Sequence, residues 1–106
     1  MKNTEPNNEN VQARIARMES YLDETIDLTS KLQERLEALQ AAGDHAKALF
    51  SYYGSEDWHA DRETDLPEGF KAGVLSEDSV YDAITELRDT AFTMLEMGTD
   101  ILKNWI

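Results

Sequence analysis

The chain has 106 residues, enough for one small domain, and its 22 acidic residues against 10 basic residues give a net charge of −12. It contains no cysteine, which excludes disulfides and thiolate chemistry, and no signal-peptide region or apolar run of the ~20 residues that span a bilayer. We therefore expect a cytoplasmic protein that binds neither nucleic acid nor membranes directly, because both need clustered lysine and arginine.

The N-terminal part predicts a short tail followed by a long helix. Residues 1–9 have almost no apolar content and contain Pro6, so we expect a disordered tail. A helix is predicted over residues 10–42, because seam residues recur at alternating spacings of four and three. The seam residues are Val11, Ile15, Met18, Leu22, Thr25, Thr29, Leu32, Leu36 and Leu39. The two threonine hydroxyls are expected to bond back to their own helix, although they could instead mark a polar contact.

Gly43 is expected to take the left-handed conformation that often follows a helix end, with a kink as the alternative. A second helix is predicted over residues 44–53, with Asp44 as its N-cap. Residues 54–75 then form an acidic connector. Proline and glycines prevent regular helix in its second half, and we expect its apolar side chains to anchor it as a compact cap. Those anchors are Trp58, Leu66, Phe70, Val74 and Leu75.

The last helix is predicted over residues 76–105. Ser76 is a good N-cap, and Glu77 and Asp78 place negative charge where the helix dipole favours it. The fold class is therefore all-α. We expect a long antiparallel helical hairpin with a short third helix and a structured acidic connector, within a single domain of residues 10–106.

Two motifs in the second half resemble a known family. The first is a YY-x-S-x-x-W-x-x-D segment that ends at Asp61, and the second is G-V-L-S-E-D at residues 73–78. The chain is similar in these motifs, in length and in acidity to small, all-helical bacterial proteins catalogued as a domain of unknown function. The resemblance supports the fold class and implies no activity, cofactor or catalytic residue.

The sequence offers weak candidates for metal binding and catalysis. Asp61, Glu63 and Asp65 alternate like the start of a calcium loop, but the later glycine and glutamate of an EF-hand are missing. Ser55, His59 and Asp61 could be drawn as a triad, yet a triad is recognised by geometry and not by spacing. We therefore expect no metal, no cofactor and no catalytic residue, and treat a small hydrolase or metal-dependent enzyme as the third hypothesis.

The first hypothesis is a non-enzymatic protein–protein interaction module that uses the acidic and aromatic connector. Aromatic side chains would supply contact area and acids would complement a basic protein partner. For Trp58 and Tyr53 we favour a place in the core, at the open end of the helical hairpin, which leaves Tyr52 as the better candidate for exposure. The predicted partner-binding residues are Tyr52, Glu56, Asp57, Trp58, Asp61, Glu63, Asp65, Asp78 and Asp82. The second hypothesis is a nucleic-acid mimic that blocks a basic nucleic-acid-binding protein, and a homodimer that covers the apolar faces is a further alternative.

Overall fold

The computed structural model describes the backbone of residues 4–106 and the side chains of residues 8–106. This part of the chain is all-α, as the sequence predicts, and has no strand. It divides into two compact units, Met1–Gly43 and Asp44–Ile106, and each is described by itself. The antiparallel pairing of the two long helices stays a prediction.

The first unit consists of helix α1, Thr4–Ala41. The helix begins earlier than the predicted residue 10, so residues 4–9 of the predicted tail are helical, and residues 1–3 lie outside the described residues. Pro6 is compatible with this earlier start. The first four N–H groups of a helix have no intrahelical acceptor, so a proline in the first turn removes no hydrogen bond.

The seam of α1 carries large apolar side chains that are half exposed within the chain. One of its two threonines behaves as predicted, because Thr25 Oγ1 donates a hydrogen bond of 2.8 Å to the carbonyl of Tyr21. An exposed ion pair one helical turn apart joins Lys31 to Asp27 at 2.9 Å. Both interactions lie within α1, and the Thr25 hydroxyl needs no partner outside its own helix.

Helix α2, Gly43–Tyr52, starts directly after Ala42. The left-handed conformation predicted for Gly43 is wrong, since only Gly54 and Gly69 have a positive φ in the described range 4–106. The physical reason is that the chain resumes helical geometry at Gly43 itself, so no left-handed residue is needed there. Gly54 does take that conformation, with φ 79°, and it ends the turn that follows α2.

A further helix, α3, spans Glu56–Arg62. This helix lies in the first half of the predicted connector, where the sequence did not predict a helix. Ser55 is the N-cap of α3, and its Oγ accepts a 3.2 Å hydrogen bond from the N–H of Trp58. A one-turn 3₁₀ helix, Gly73–Leu75, ends the connector.

Helix α4, Glu77–Asp100, carries the predicted cap: Ser76 Oγ accepts a 3.4 Å hydrogen bond from the N–H of Ser79. Val80 in its first turns is buried. The predicted helix continues beyond Asp100 only as a π-helical turn, Ile101–Trp105. Across residues 4–106, no helix is both long enough and apolar enough to cross a membrane.

Side-chain bonds accompany the π-helical turn. The carboxylate of Asp100 accepts hydrogen bonds from Asn104 Nδ2 at 2.7 Å and from Trp105 Nε1 at 2.8 Å. These two donors hold the pKa of Asp100 below its usual value, with the Asn104 bond the larger cause. The last turn is thereby bonded to the end of α4.

Candidate functional site

Trp58 is the centre of the packed core in the second unit, where it is 3% exposed. Its indole Nε1 donates a 3.0 Å hydrogen bond to the carbonyl of Val74 in the 3₁₀ turn. The Tyr53 ring meets the indole edge-on, with centroids 5.1 Å apart, and the Arg62 guanidinium lies 4.6 Å above the indole ring. Trp58 therefore joins the end of α2, α3 and the 3₁₀ turn.

Glu77 ties the start of α4 to the same core. Its backbone carbonyl accepts a 2.9 Å hydrogen bond from the Tyr53 hydroxyl, and its carboxylate lies 3.3 Å from Arg62 Nη1. The motif residues Tyr53, Trp58, Val74 and Glu77 thus have partners within this core. Trp58 was also a predicted partner-binding residue, and its burial places it in the core alternative that the sequence left open.

Tyr52 lies apart from this core and pairs with an acid of α3. Its hydroxyl donates a 2.5 Å hydrogen bond to Asp61 Oδ2, and this bond is exposed to solvent. That bond is the main cause that raises the pKa of Tyr52 to about 12, with desolvation and the charges of Asp61 and Asp57 adding to it. Tyr52 is therefore protonated, and a hydrogen-bond donor, at physiological pH.

An apolar cleft of about 240 Å³ begins at the Tyr52–Asp61 pair. We call this opening the connector cleft. Its polar edge is completed by Thr64 and Lys71. Its apolar lining comes from Leu66, Phe70, Ala72, Val74 and Leu75. A cleft of this size can accept one or two side chains of a partner but is smaller than most sites for drug-sized ligands, which are roughly 300–1,000 Å³.

A tight turn positions the aromatic side of the cleft. The N–H of Phe70 donates a 3.1 Å hydrogen bond to the carbonyl of Pro67, and Gly69 supplies the positive φ of 81° that a type II turn needs at its third residue. Phe70 is 62% exposed and Leu66 is 41% exposed. Both residues were predicted to anchor the connector, but the turn leaves them in the open lining of the cleft, together with Val74, which is 37% exposed.

Of the residues that line the cleft, Tyr52 and Asp61 were predicted as partner-binding residues, and the apolar lining was missed. The available signal was the Pro67-Glu68-Gly69 turn followed directly by Phe70. Such a turn lies at the surface, and an aromatic residue next to it has few neighbours that could bury it. The spacing indicates the turn, but the exposure of Phe70 depends on how the connector packs.

The predicted acidic residues are all exposed. Glu56 and Asp57 lie in the first turn of α3, Glu63 is its C-cap residue, and Asp65 follows. Asp78 and Asp82 lie on α4, and no hydrogen bond or ion pair in the described side chains links these two to the acids of α3. The structure thus brings Tyr52 and Asp61 together and leaves the remaining acids unpaired within residues 8–106.

The residues once drawn as a triad have separate partners. Ser55 caps α3, the His59 ring packs edge-on against Trp58 with centroids 5.0 Å apart, and Asp61 accepts from Tyr52. No side-chain hydrogen bond joins the three to one another in the part of the chain that the structure describes, although the backbone N–H of His59 donates a 3.1 Å hydrogen bond to the Ser55 carbonyl as part of the helix start. The described residues also include no cluster of three or more His, Asp or Glu side chains arranged for a metal ion.

The comparisons with known proteins identify a family. The profile of a domain of unknown function, DUF4298, matches residues 15–97, which includes α2, α3, the connector cleft and most of α4. No curated protein and no solved structure matches the chain. The resemblance inferred from the two motifs is confirmed, and the chain belongs to the DUF4298 family of domains of unknown function.

Proposed function

We propose that the protein is a non-enzymatic protein–protein interaction module, and that its connector cleft binds a basic segment of a partner protein. The observation that carries the proposal is the open apolar lining around Phe70 and Leu66. Exposed aromatic and aliphatic side chains around a concave opening supply the contact area on which interfaces depend. A cytoplasmic location is part of the same proposal.

The charge around the cleft favours a basic partner. Residues 44–82 hold ten acids against Lys47, Arg62 and Lys71, a net charge of −7. Arg62 is already engaged, since it contacts Glu77 and Trp58. The edge of the cleft itself carries Asp61 and Lys71, so the attraction comes from the other exposed acids of residues 44–82. Such acids attract lysine and arginine, and they raise the association rate more than the final affinity. The expected ligand is therefore an apolar side chain flanked by basic residues.

The cleft is supported by a connected scaffold. Asp61 on its edge and Trp58 in the core lie on the same short helix, and Val74 contributes both to the lining and to the hydrogen bond with Trp58. A binding surface held by packed elements loses less conformational entropy on binding than a free loop does. This support favours recognition over a solubilising role for the acidic connector.

The proposal is tested by affinity capture from bacterial lysate at low and high salt, with wild type and the Phe70→Ser variant as parallel baits. We expect a basic protein that wild type captures and Phe70→Ser does not, with capture weaker at high salt because the flanking charges are screened. Equal capture by both baits, or no specific protein at either salt, would count against the cleft.

The second candidate function is a nucleic-acid mimic, and the unpaired acids of α3 and α4 favour it. Carboxylates spread over a rigid helical surface can occupy a cleft that normally binds phosphates. A double variant, Glu56→Gln on α3 with Asp82→Asn on α4, separates the two functions. A mimic would lose its target with this variant, keep it with Phe70→Ser, and compete with DNA or RNA for the target.

A further inference from the structure

The seam of α1 is an apolar stripe that extends over four heptads and is weakened only at its middle, by Thr25 and Thr29. Successive seam residues alternate between heptad positions d and a, starting with Val11 at d and Ile15 at a. A repeat of 3.5 residues drives two such helices to wind around each other with a left-handed twist. Nine large side chains on and beside this seam are between 41% and 59% exposed. They are Ile15, Met18, Tyr21, Leu22, Ile26, Leu28, Leu32, Leu36 and Leu39.

The charged residues of α1 avoid the seam. Between residues 11 and 39, only three of them flank it: Arg14 and Arg35 at g positions and Glu19 at an e position. The other charges lie on the outer face, including the Lys31–Asp27 ion pair. This division between an apolar stripe, sparse flanking charges and a charged outer face is typical of a coiled-coil helix.

We propose that a second copy of this chain covers the α1 seam, so that two α1 helices form a parallel, in-register coiled coil. In this arrangement a g residue meets the e residue five positions later on the other helix. Arg14 of one copy then faces Glu19 of the other, twice by symmetry. The antiparallel alternative would place Arg14 opposite Arg35, two like charges, so the flanking charges favour the parallel pairing.

The flanking apolar residues also agree with this register. Tyr21 at a g position would meet Ile26 at an e position of the other copy, which widens the buried stripe at its middle. At roughly 80 Å² for each half-exposed side chain, the two helices would bury about 1,400 Å². That area lies within the range of ~1,200–2,000 Å² that stable interfaces bury.

The threonine layers do not oppose the pairing. The Thr25 hydroxyl already donates to the Tyr21 carbonyl, so its donor is satisfied and its methyl group is left for the partner helix. A buried polar group that has its own partner avoids the cost of an unsatisfied one. The weaker apolar content at Thr25 and Thr29 also helps to fix the register, since a shifted pairing would place them against leucines.

The first test uses the absence of cysteine from the chain. An Ile15→Cys variant of the full chain should form a disulfide-linked dimer under mild oxidation, because identical a positions face each other only in a parallel, in-register pair. The matched control is Ser20→Cys at an outer f position, which should not cross-link. Failure of Ile15→Cys to cross-link, in a chain that sedimentation shows to be dimeric, would overturn the parallel pairing.

The second test exchanges the flanking charges and is read by sedimentation equilibrium over protein concentrations of about 1–100 µM. Arg14→Glu should raise the dissociation constant of the dimer about fivefold to tenfold, because it turns two attractive contacts into repulsive ones. The double variant Arg14→Glu with Glu19→Arg should return the dissociation constant to its wild-type value. Circular dichroism checks that each variant keeps its helix content.

A monomeric wild-type chain over this range would overturn the proposal and return the seam to the helical hairpin predicted from the sequence. A dimer unchanged by Arg14→Glu, or not restored by the double variant, would also overturn it. A Leu22→Glu variant at the seam, compared with Ser30→Glu on the outer face, provides an independent check. The first should be monomeric and the second dimeric if the seam is the interface.

Discussion

The indole Nε1 of Trp58 donates its hydrogen bond to the backbone carbonyl of Val74 across 16 positions of sequence. This bond joins the two family motifs, since Trp58 belongs to the first and Val74 to the second. It also supports the connector cleft, because Val74 lines that cleft while Trp58 is in the core behind it. The motifs therefore describe one folded cluster rather than two separate sites.

The Trp58–Val74 bond predicts a specific loss of stability. Trp58→Phe keeps an aromatic ring but leaves the Val74 carbonyl without its donor, so unfolding should become easier by about 1–3 kcal/mol. The control is Trp105→Phe, which also removes an indole hydrogen bond, the one to Asp100, but at a ring that is 62% exposed, so water can replace the lost partner and the loss of stability should be clearly smaller. Denaturant unfolding followed by circular dichroism measures both. Equal effects of the two substitutions would contradict the role of Trp58.

The Tyr52–Asp61 pair predicts an unusual tyrosine titration. The pKa of Tyr52 is raised from 10.0 to about 12, chiefly by the hydrogen bond to Asp61. A raised pKa in the folded state stabilises the protonated form, so this contribution is complete below pH 10 and is lost as the pH rises towards 12. NMR titration of the Tyr52 ring should show this, and Asp61→Asn should lower the pKa. If the Tyr52 hydroxyl ionised near pH 10 both in wild type and in Asp61→Asn, this result would argue against the hydrogen-bonded pair.

Tyr52→Ala should affect binding more than stability. The hydrogen bond to Asp61 is exposed, so its loss should lower the free energy of unfolding only slightly, because water can replace the lost partner. Tyr53→Ala is the contrasting variant. It removes the ring packed on Trp58 and the bond to the Glu77 carbonyl, and should cost more. A large loss of melting temperature in Tyr52→Ala, without loss of partner capture, would place Tyr52 in the core.

The turn between α2 and α3 predicts a difference between two glycines. Gly54 has a φ of 79°, so Gly54→Ala should destabilise the fold by about 1–2 kcal/mol through backbone strain alone. An added Cβ meets no atom within 4 Å at either Gly54 or Gly73. Gly73 lacks a positive φ, so Gly73→Ala should be neutral or stabilise by about 0.4–1 kcal/mol. Thermal unfolding of the two variants separates strain from packing.

Local sequence signals predicted part of this fold. The Ser76 cap and the seam of α1 follow from residues within a few positions of each other, and both were predicted. Helix α3 was missed because it has only seven residues, and isolated helices that short are unstable in water. Its stability comes from Trp58, whose partners Tyr53, Arg62 and Val74 are brought together by the tertiary fold.

The exposure of the predicted acids could be inferred from the sequence, whereas the cleft could not, apart from Tyr52 and Asp61 on its edge. Exposure of Glu56, Asp57 and Glu63 follows from charge alone. Exposure of Phe70 does not, because an aromatic residue in a short connector is by default a buried anchor. Only the packing of the turn at Pro67–Phe70 decides that this ring lines an open cleft.

The central proposal, binding of a basic partner at the connector cleft, is most directly tested by calorimetry with the captured partner. The dissociation constant should be compared for wild type, Phe70→Ser and the control Phe92→Ser, an α4 residue of similar exposure at 58%. We predict that Phe70→Ser weakens binding about tenfold or more, because the cleft loses its aromatic contact, while Phe92→Ser stays within about twofold. Equal affinities for wild type and Phe70→Ser would contradict the proposal.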